Sequence, residues 1–129
     1  MTAGLSAVNT ANAFLNIFRG TTFTGISTPF AQIHTGDPGS AGTSNVSVGS
    51  TTRNAITWNA ASAGSMTLAT LGAWTNGGTS ETITHVSLWS ASSAGTFYWS
   101  IALSASQAWI STNTLTITTF TLASSPIAA

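Results

Sequence analysis

The stretch ETITHVSLWSASSAGTFYWSIALS, residues 81–104, contains two alternating runs joined by a short glycine-containing link. In the first run Val86 and Leu88 fall on one side, opposite His85 and Trp89. In the second run the apolar residues occupy every other position: Phe97, Trp99, Ile101 and Leu103. Alternation with a period of two is typical of half-buried strands, and the link suits a tight connection. The stretch therefore predicts a hairpin with strands over 83–90 and 96–104.

Most of the rest of the chain has the same composition, rich in threonine, serine, β-branched and aromatic residues, and it is interrupted by glycine-rich breaks at 36–42 and 76–78. Further strands are predicted at Pro29–Thr35, Thr52–Trp58, Ser65–Trp74 and 113–122, the last with a β-bulge near Thr118 and Thr119. Repeated short strands between turn signals predict a mainly β fold, an antiparallel, jelly-roll-like β-sandwich over 28–123.

Residues 5–19 have the spacing of an amphipathic helix rather than of a strand. Apolar residues recur at steps of three and four along one stripe, formed by Leu5, Val8, Ala11, Leu15 and Phe18 and widened by Phe14 and Ile17. Gly20 follows as a natural C-terminal cap. We expect one domain over 1–129, with this N-terminal α-helix in front of the sandwich and residues 124–129 as a short tail.

Charge is nearly absent from this chain. Its 129 residues include only four charged ones, Arg19, Asp37, Arg53 and Glu81, and the formal net charge is zero. Without a cluster of basic residues we expect no direct binding to nucleic acid. No apolar run is long enough to span a membrane, and the N-terminus does not resemble a signal peptide, so we expect synthesis in a host cytoplasm. An uncharged surface rich in hydroxyl groups suits a protein that packs against other proteins.

Catalysis is not expected, because the ionisable side chains are few and scattered: Asp37, Glu81, His34, His85 and Tyr98. No serine-nucleophile motif occurs, and no cysteine is present to act as a nucleophile or a metal ligand. Asp37 and Pro38 are better explained as turn-stabilising residues, since the sequence His-Thr-Gly-Asp-Pro-Gly has strong turn chemistry. We therefore expect no enzymatic activity, no cofactor and no metal.

Five tryptophans are many for this length, and they allow two interpretations. Aromatic side chains are enriched at protein–protein interfaces, and exposed tryptophans also stack on sugars. Trp99 is expected in the core, whereas Trp89 and Trp109 are the best candidates for exposure. We favour an interface over a sugar site. Binding to ice through a threonine row is a weaker third alternative, because only one strand offers such a row.

Several segments together resemble a family of small structural proteins from the virions of tailed bacteriophages, often labelled phage tail fibre, minor tail or minor capsid decoration protein. The segments are Phe18-Arg19-Gly20-Thr21, His34-Thr35-Gly36-Asp37-Pro38, Arg53-Asn54-Ala55-Ile56-Thr57 and Thr84-His85. The sequence departs from the family pattern at Thr52 and Ser90, where the family has an aromatic and an acidic residue. The resemblance implies a structural role in the virion without activity.

From these observations we expect a capsid decoration or minor capsid protein that stabilises the shell from the capsid exterior. Its expected partners are further copies of itself, with a trimer favoured, and the major capsid protein. The residues expected to carry self-association or capsid contact are Leu5, Val8, Phe14, Phe18, Trp89 and Trp109. The alternative is a minor tail or tail-fibre protein that binds a host surface glycan.

Overall fold

The computed structural model describes residues 2–124, so residues 125–129 of the predicted tail lie outside the described part of the chain. It confirms a mainly β, sandwich-like fold with one N-terminal helix. The helical segment consists of a π-helical turn, Ala7–Ala11, a short α-helix (α1), Asn12–Leu15, and a 3-10 turn, Asn16–Arg19. The strands are β1 Phe30–His34, β2 Asn54–Trp58, β3 Ser65–Leu71, β4 Trp74–Thr75, β5 Glu81–Trp89, β6 Phe97–Trp109, β7 Thr114–Leu115 and β8 Thr121–Ala123.

Six strands form one curled antiparallel sheet in the order β6-β5-β1-β2-β3-β8, and β4 pairs with β7 in a small second sheet. The predicted hairpin is confirmed as β5 and β6, with Leu88 opposite Trp99 and Val86 opposite Ile101. β6 runs five residues further than predicted, to Trp109, and its register with β5 shifts between Ile83 and His85. The hairpin therefore provides the longest pairing in the sheet.

The core combines side chains from the large sheet with Trp74 from the small one. It is made of Ala31, Ile33, Ile56, Trp74, Ile83, Val86, Leu88, Trp109 and Leu122. Burying a side chain of this kind stabilises a fold by about 1.5–3 kcal/mol relative to leaving it in water. The core thus draws on strands from β1 to β8, so that residues distant in sequence meet in one cluster.

A long loop, residues 35–53, covers the outer face of β1, β5 and β6. Buried His34 contacts Ser44 O in this loop through Nδ1 (2.8 Å), and the Gln32 amide donates to Thr51 O (3.1 Å). Gly42 lies directly against the ring of Phe97, at a backbone φ of 74°. The loop gives the sheet a second buried layer on the face that a two-layer sandwich would leave open.

Two predicted strands prove to be interrupted. The strand predicted over Ser65–Trp74 ends at Leu71. The Asn54 side-chain amide donates hydrogen bonds to Gly72 O (3.1 Å) and Ala73 O (3.0 Å), and the chain then turns into β4. The strand predicted over 113–122 with a bulge is wrong. It divides into β7 and β8, which lie in different sheets.

Candidate interaction surface

The N-terminal helix begins two residues later than the periodicity predicts. Leu5 instead pairs with Trp99 at the edge of β6, and Ser6 N donates to Tyr98 O (2.8 Å). The Ser6 hydroxyl then caps the first turn by accepting from Asn9 N (3.3 Å). The helix ends at Gly20, which has the left-handed φ of 81° that glycine adopts without strain.

Polar side chains hold the helix to the sheet. The Asn9 amide donates to Phe97 O (2.9 Å), and the Thr10 hydroxyl donates to Tyr98 O (2.6 Å). No residue from Ala7 to Arg19 is buried. A surface helix ordinarily turns its apolar stripe to the core and its polar face to water. Here the orientation is reversed.

Seven exposed apolar side chains lie on the helix and on the segments that flank it, and we call this set the helix patch. Phe18 is 81% exposed and Val8 is 74% exposed. Phe14 and Phe18 meet edge to face, with ring centroids 6.2 Å apart. The members of the helix patch are Leu5, Val8, Phe14, Leu15, Ile17, Phe18 and Phe23.

The helix patch is comparable in area to the largest apolar patch on a typical monomeric protein. Phe14, Phe18 and Phe23 are 53%, 81% and 37% exposed. With about 200 Å² per aromatic side chain, their exposed area is roughly 350 Å². The largest apolar patch on a typical monomer is about 300–600 Å², and such patches mark interaction sites. Three rings alone reach that range, and the aliphatic members add to it.

Beside the helix patch lies a groove of about 490 Å³. Its wall includes Phe14 and Phe23 from the patch and Trp99 from β6. The nearest charged side chain along the helix is Arg19, which contacts Asn16 Oδ1 (3.4 Å). A neutral apolar groove beside protruding aromatic rings suits contact with another apolar surface.

The structure exposes four of the predicted interface residues, Leu5, Val8, Phe14 and Phe18, all in the N-terminal segment. Sequence analysis missed Phe23, which follows Gly20 in a threonine-rich segment without periodicity. Its position beside Phe14 arises from the turn of the chain at Gly20, which no local pattern reports.

The expected exposure of Trp89 and Trp109 is wrong, since they are only 5% and 2% exposed. Arg53 lies over the Trp89 ring, 3.5 Å from its centroid, and the indole N–H of Trp89 donates to Ser87 Oγ (2.7 Å). Trp109 packs in the core and donates to Asn113 O (3.0 Å). Neither indole is available to a partner at the surface of this chain. Trp99, expected in the core, packs against it but is only partly buried and lines three surface cavities.

Asp37 and Pro38 lie in the turn after β1. Asp37 Oδ1 accepts from Gly39 N (2.8 Å), Ser44 N donates to Pro38 O (2.9 Å), and Pro38 is fully buried. The Asp37 side chain thus closes a local loop, as aspartate commonly does in turns.

His34 belongs to a buried chain of hydrogen bonds. Its Nδ1 must carry the proton to donate to Ser44 O, so Nε2 accepts from Ser87 Oγ (2.7 Å). Ser87 Oγ accepts in turn from the Trp89 indole. Burial lowers the pKa of His34, and the charges of His85 and Arg53 lower it further against the opposing Ser44 bond. The network is therefore complete with a neutral imidazole.

Glu81 fastens the covering loop to the sheet. Its carboxylate accepts from Val48 N (3.1 Å), Gly49 N (3.0 Å) and the Ser47 hydroxyl. These bonds occupy both carboxylate oxygens. Within residues 2–124, no three His, Asp or Glu side chains come together as metal ligands would. No helix in the same range has the length and apolar character required to cross a membrane.

Comparison with known proteins gives one family match. A family model described as Podophage GP4 fiber I protein gp80 matches residues 4–125, nearly the whole chain. The match includes the helix, both sheets and the loop that covers the outer face. No curated protein matches the sequence.

Proposed function

This chain belongs to the Podophage GP4 fiber I protein gp80 family, a family of phage structural proteins, and from that premise we propose that it is a self-associating decoration protein of the capsid exterior. The observation that carries the proposal is the outward orientation of the helix patch. A helix held by Asn9 and Thr10 leaves Phe14 and Phe18 in water, which is unfavourable unless another surface covers them.

A second copy of the chain is the partner that the surface favours most. The helix patch and the adjoining groove are apolar, and Arg19 is the one charged residue in the helix, so like surfaces meet with little repulsion. Three helices around a threefold axis would bury Phe18 of each copy, which fits the trimer expected from the sequence. Repetition over a shell lets weak contacts with the major capsid protein add up through avidity.

A second candidate function is that of a fibre component, and the description of the matching family favours it. In this arrangement the helix patch would join subunits within the fibre rather than on the shell. A glycan-binding role through Trp89 or Trp109 is excluded by their burial, so a glycan site would need other residues.

The number of copies per purified particle, measured by mass spectrometry against the major capsid protein, tests the placement. Hundreds of copies in a simple ratio to the capsid protein would support decoration of the shell. A few dozen copies or fewer would contradict decoration and support the fibre.

A further inference from the structure

β6 is the last strand of the six-stranded sheet, so one of its edges faces no other strand of that sheet. The backbone groups of such an edge are open to pairing with another segment of chain. Part of this edge is covered by the start of the chain, where Leu5 pairs with Trp99 and Ser100 N donates to Gly4 O (2.9 Å). The start of the chain therefore acts as an added strand on β6.

This added strand and the helix after it make up residues 2–20, which we call the N-terminal arm. Within residues 2–124, every hydrogen bond that joins the N-terminal arm to the β region ends on residues 97–100 of β6. In the same range Ser6 is the one buried residue of the arm, and no arm residue belongs to the core. The arm is thus held by hydrogen bonds at the sheet edge. Segments with few buried apolar contacts open at low cost in free energy.

Residues 21–29 link the N-terminal arm to β1. None of them is buried, and residues 22–28 make no hydrogen bond to any other part of the described chain. Nine extended residues reach about 30 Å, which is about the diameter of a small domain. The arm therefore has the reach to pair with β6 of a neighbouring copy as well as with its own.

Pairing with a neighbour keeps the bonds of the closed form and adds a contact. Every copy offers the same edge, so an exchanged arm makes the same hydrogen bonds as an arm on its own β6. Residues 97–100 are uncharged, and Arg19 is the one charged residue of the arm. In the closed form Phe14 and Phe18 remain exposed. Exchange holds a second copy within reach of the linker, which raises the effective concentration for contact between these rings.

We propose that the N-terminal arm of each copy pairs with β6 of a neighbouring copy, so that exchanged arms link the subunits of the assembly. This inference rests on the self-association proposed above and gives it a mechanism. An arm passed from each copy to the next is a head-to-tail contact, which forms a closed ring or an open row according to the rotation between copies. A ring of three is the form that fits the expected trimer.

An engineered disulfide tests which chain supplies the arm. The chain contains no cysteine, so a pair introduced as Leu5→Cys with Trp99→Cys has no competitor. The hydrogen bonds flank this pair rather than join it, and the Cα atoms of such antiparallel pairs lie about 4.5 Å apart, within the range of a disulfide. We expect the oxidised variant to run as a covalent dimer or trimer on a non-reducing denaturing gel and as a monomer after reduction.

A matched control uses a pair inside the β region. Thr75 and Thr114 are exposed, lie opposite each other in β4 and β7, and are likewise flanked by a backbone bond, from Asn76 N to Asn113 O. Thr75→Cys with Thr114→Cys should therefore form its disulfide within one chain and run as a monomer under the same oxidation. Both variants are oxidised at a concentration at which the parent associates in sedimentation velocity.

A second measurement uses the parent sequence, because Trp99→Cys removes a ring that packs against the core. An equal mixture of ¹³C,¹⁵N-labelled and unlabelled parent is unfolded in urea, refolded together and studied by isotope-filtered NOE spectroscopy. Leu5 and Trp99 pair with each other and border the same groove. We expect contacts between the Leu5 methyl groups of labelled chains and the Trp99 ring of unlabelled chains.

The outcomes separate arm exchange from self-association. An intrachain disulfide in the folded Leu5→Cys, Trp99→Cys variant, or the absence of Leu5–Trp99 contacts between chains, would overturn arm exchange. If the parent still associates, the proposed self-association stands without exchanged arms. A parent that is monomeric at every concentration would overturn both.

Discussion

The close approach of the covering loop to β6 can be tested by replacing Gly42 with alanine. A Cβ atom at this position would lie 2.6 Å from Phe97 Cγ, far inside the ordinary contact distance of about 3.5–4.0 Å. The left-handed φ of 74° adds a cost of about 1–2 kcal/mol for any residue with a Cβ. Overpacking against a buried ring costs about 1–3 kcal/mol more. Gly42→Ala should therefore lower the free energy of unfolding by about 2–5 kcal/mol.

Two other glycines separate these causes. Gly20 has a similar φ of 81° but no atom within 4 Å of an added Cβ, so Gly20→Ala should cost only the backbone part, about 1–2 kcal/mol. Gly25 has neither constraint, and Gly25→Ala should be neutral or stabilising by about 0.4–1 kcal/mol through the unfolded state. Urea unfolding followed by tryptophan fluorescence measures all three variants. An equal loss for Gly42→Ala and Gly20→Ala would refute the packing of the loop against Phe97.

Three further predictions concern the helix patch and the covering loop. Phe18→Asp should abolish self-association in sedimentation velocity and change the unfolding free energy by no more than about 0.5 kcal/mol, because Phe18 is 81% exposed. Ser93→Asp is the control, since it adds the same charge to the exposed link between β5 and β6. Association of Phe18→Asp at the parent's level would contradict the role of the helix patch. Because burial lowers the pKa of His34 in the folded state, the unfolded chain binds the proton first. Stability should be complete above about pH 6.5 and fall as the pH decreases below it, and His34→Asn should flatten this dependence in urea titrations at several pH values. Glu81→Gln replaces an acceptor of two backbone N–H groups by a side chain with one acceptor oxygen and should cost about 1–3 kcal/mol, with an unchanged urea midpoint as the contrary result.

The hairpin and the helix were predictable because each depends on contacts between near neighbours in sequence. Alternation over 83–90 and 96–104 located β5 and β6, and the three-and-four spacing located the helix to within two residues of its start. The turn at Asp37 and Pro38 was predictable for the same reason, since the carboxylate bonds a backbone group two residues away.

The interruption of the strand predicted over 113–122 was not predictable in this way. Asn76 N donates to Asn113 O (2.9 Å) next to the pairing of β4 with β7. Leu68 N of β3 donates to Phe120 O (2.8 Å), the residue before β8. One continuous pattern is thus divided between two partners that are distant in sequence. A local pattern contains no information about such partners.

By itself the sequence determined the mainly β class, the helix at its front, the turns, and a surface nearly free of charge, because propensity, periodicity and composition act locally. Only the tertiary structure decided which faces meet water. The stripe on the helix reports that one side is apolar, but the bonds from Asn9 and Thr10 to β6 turn that side outward. Alternation likewise assigns Trp89 and Trp99 to faces of the sheet, but the loop over 35–53 buries Trp89 and leaves Trp99 at a cavity. Exposure is a property of what covers a face, and the covering residues here lie 36 or more positions away in the chain.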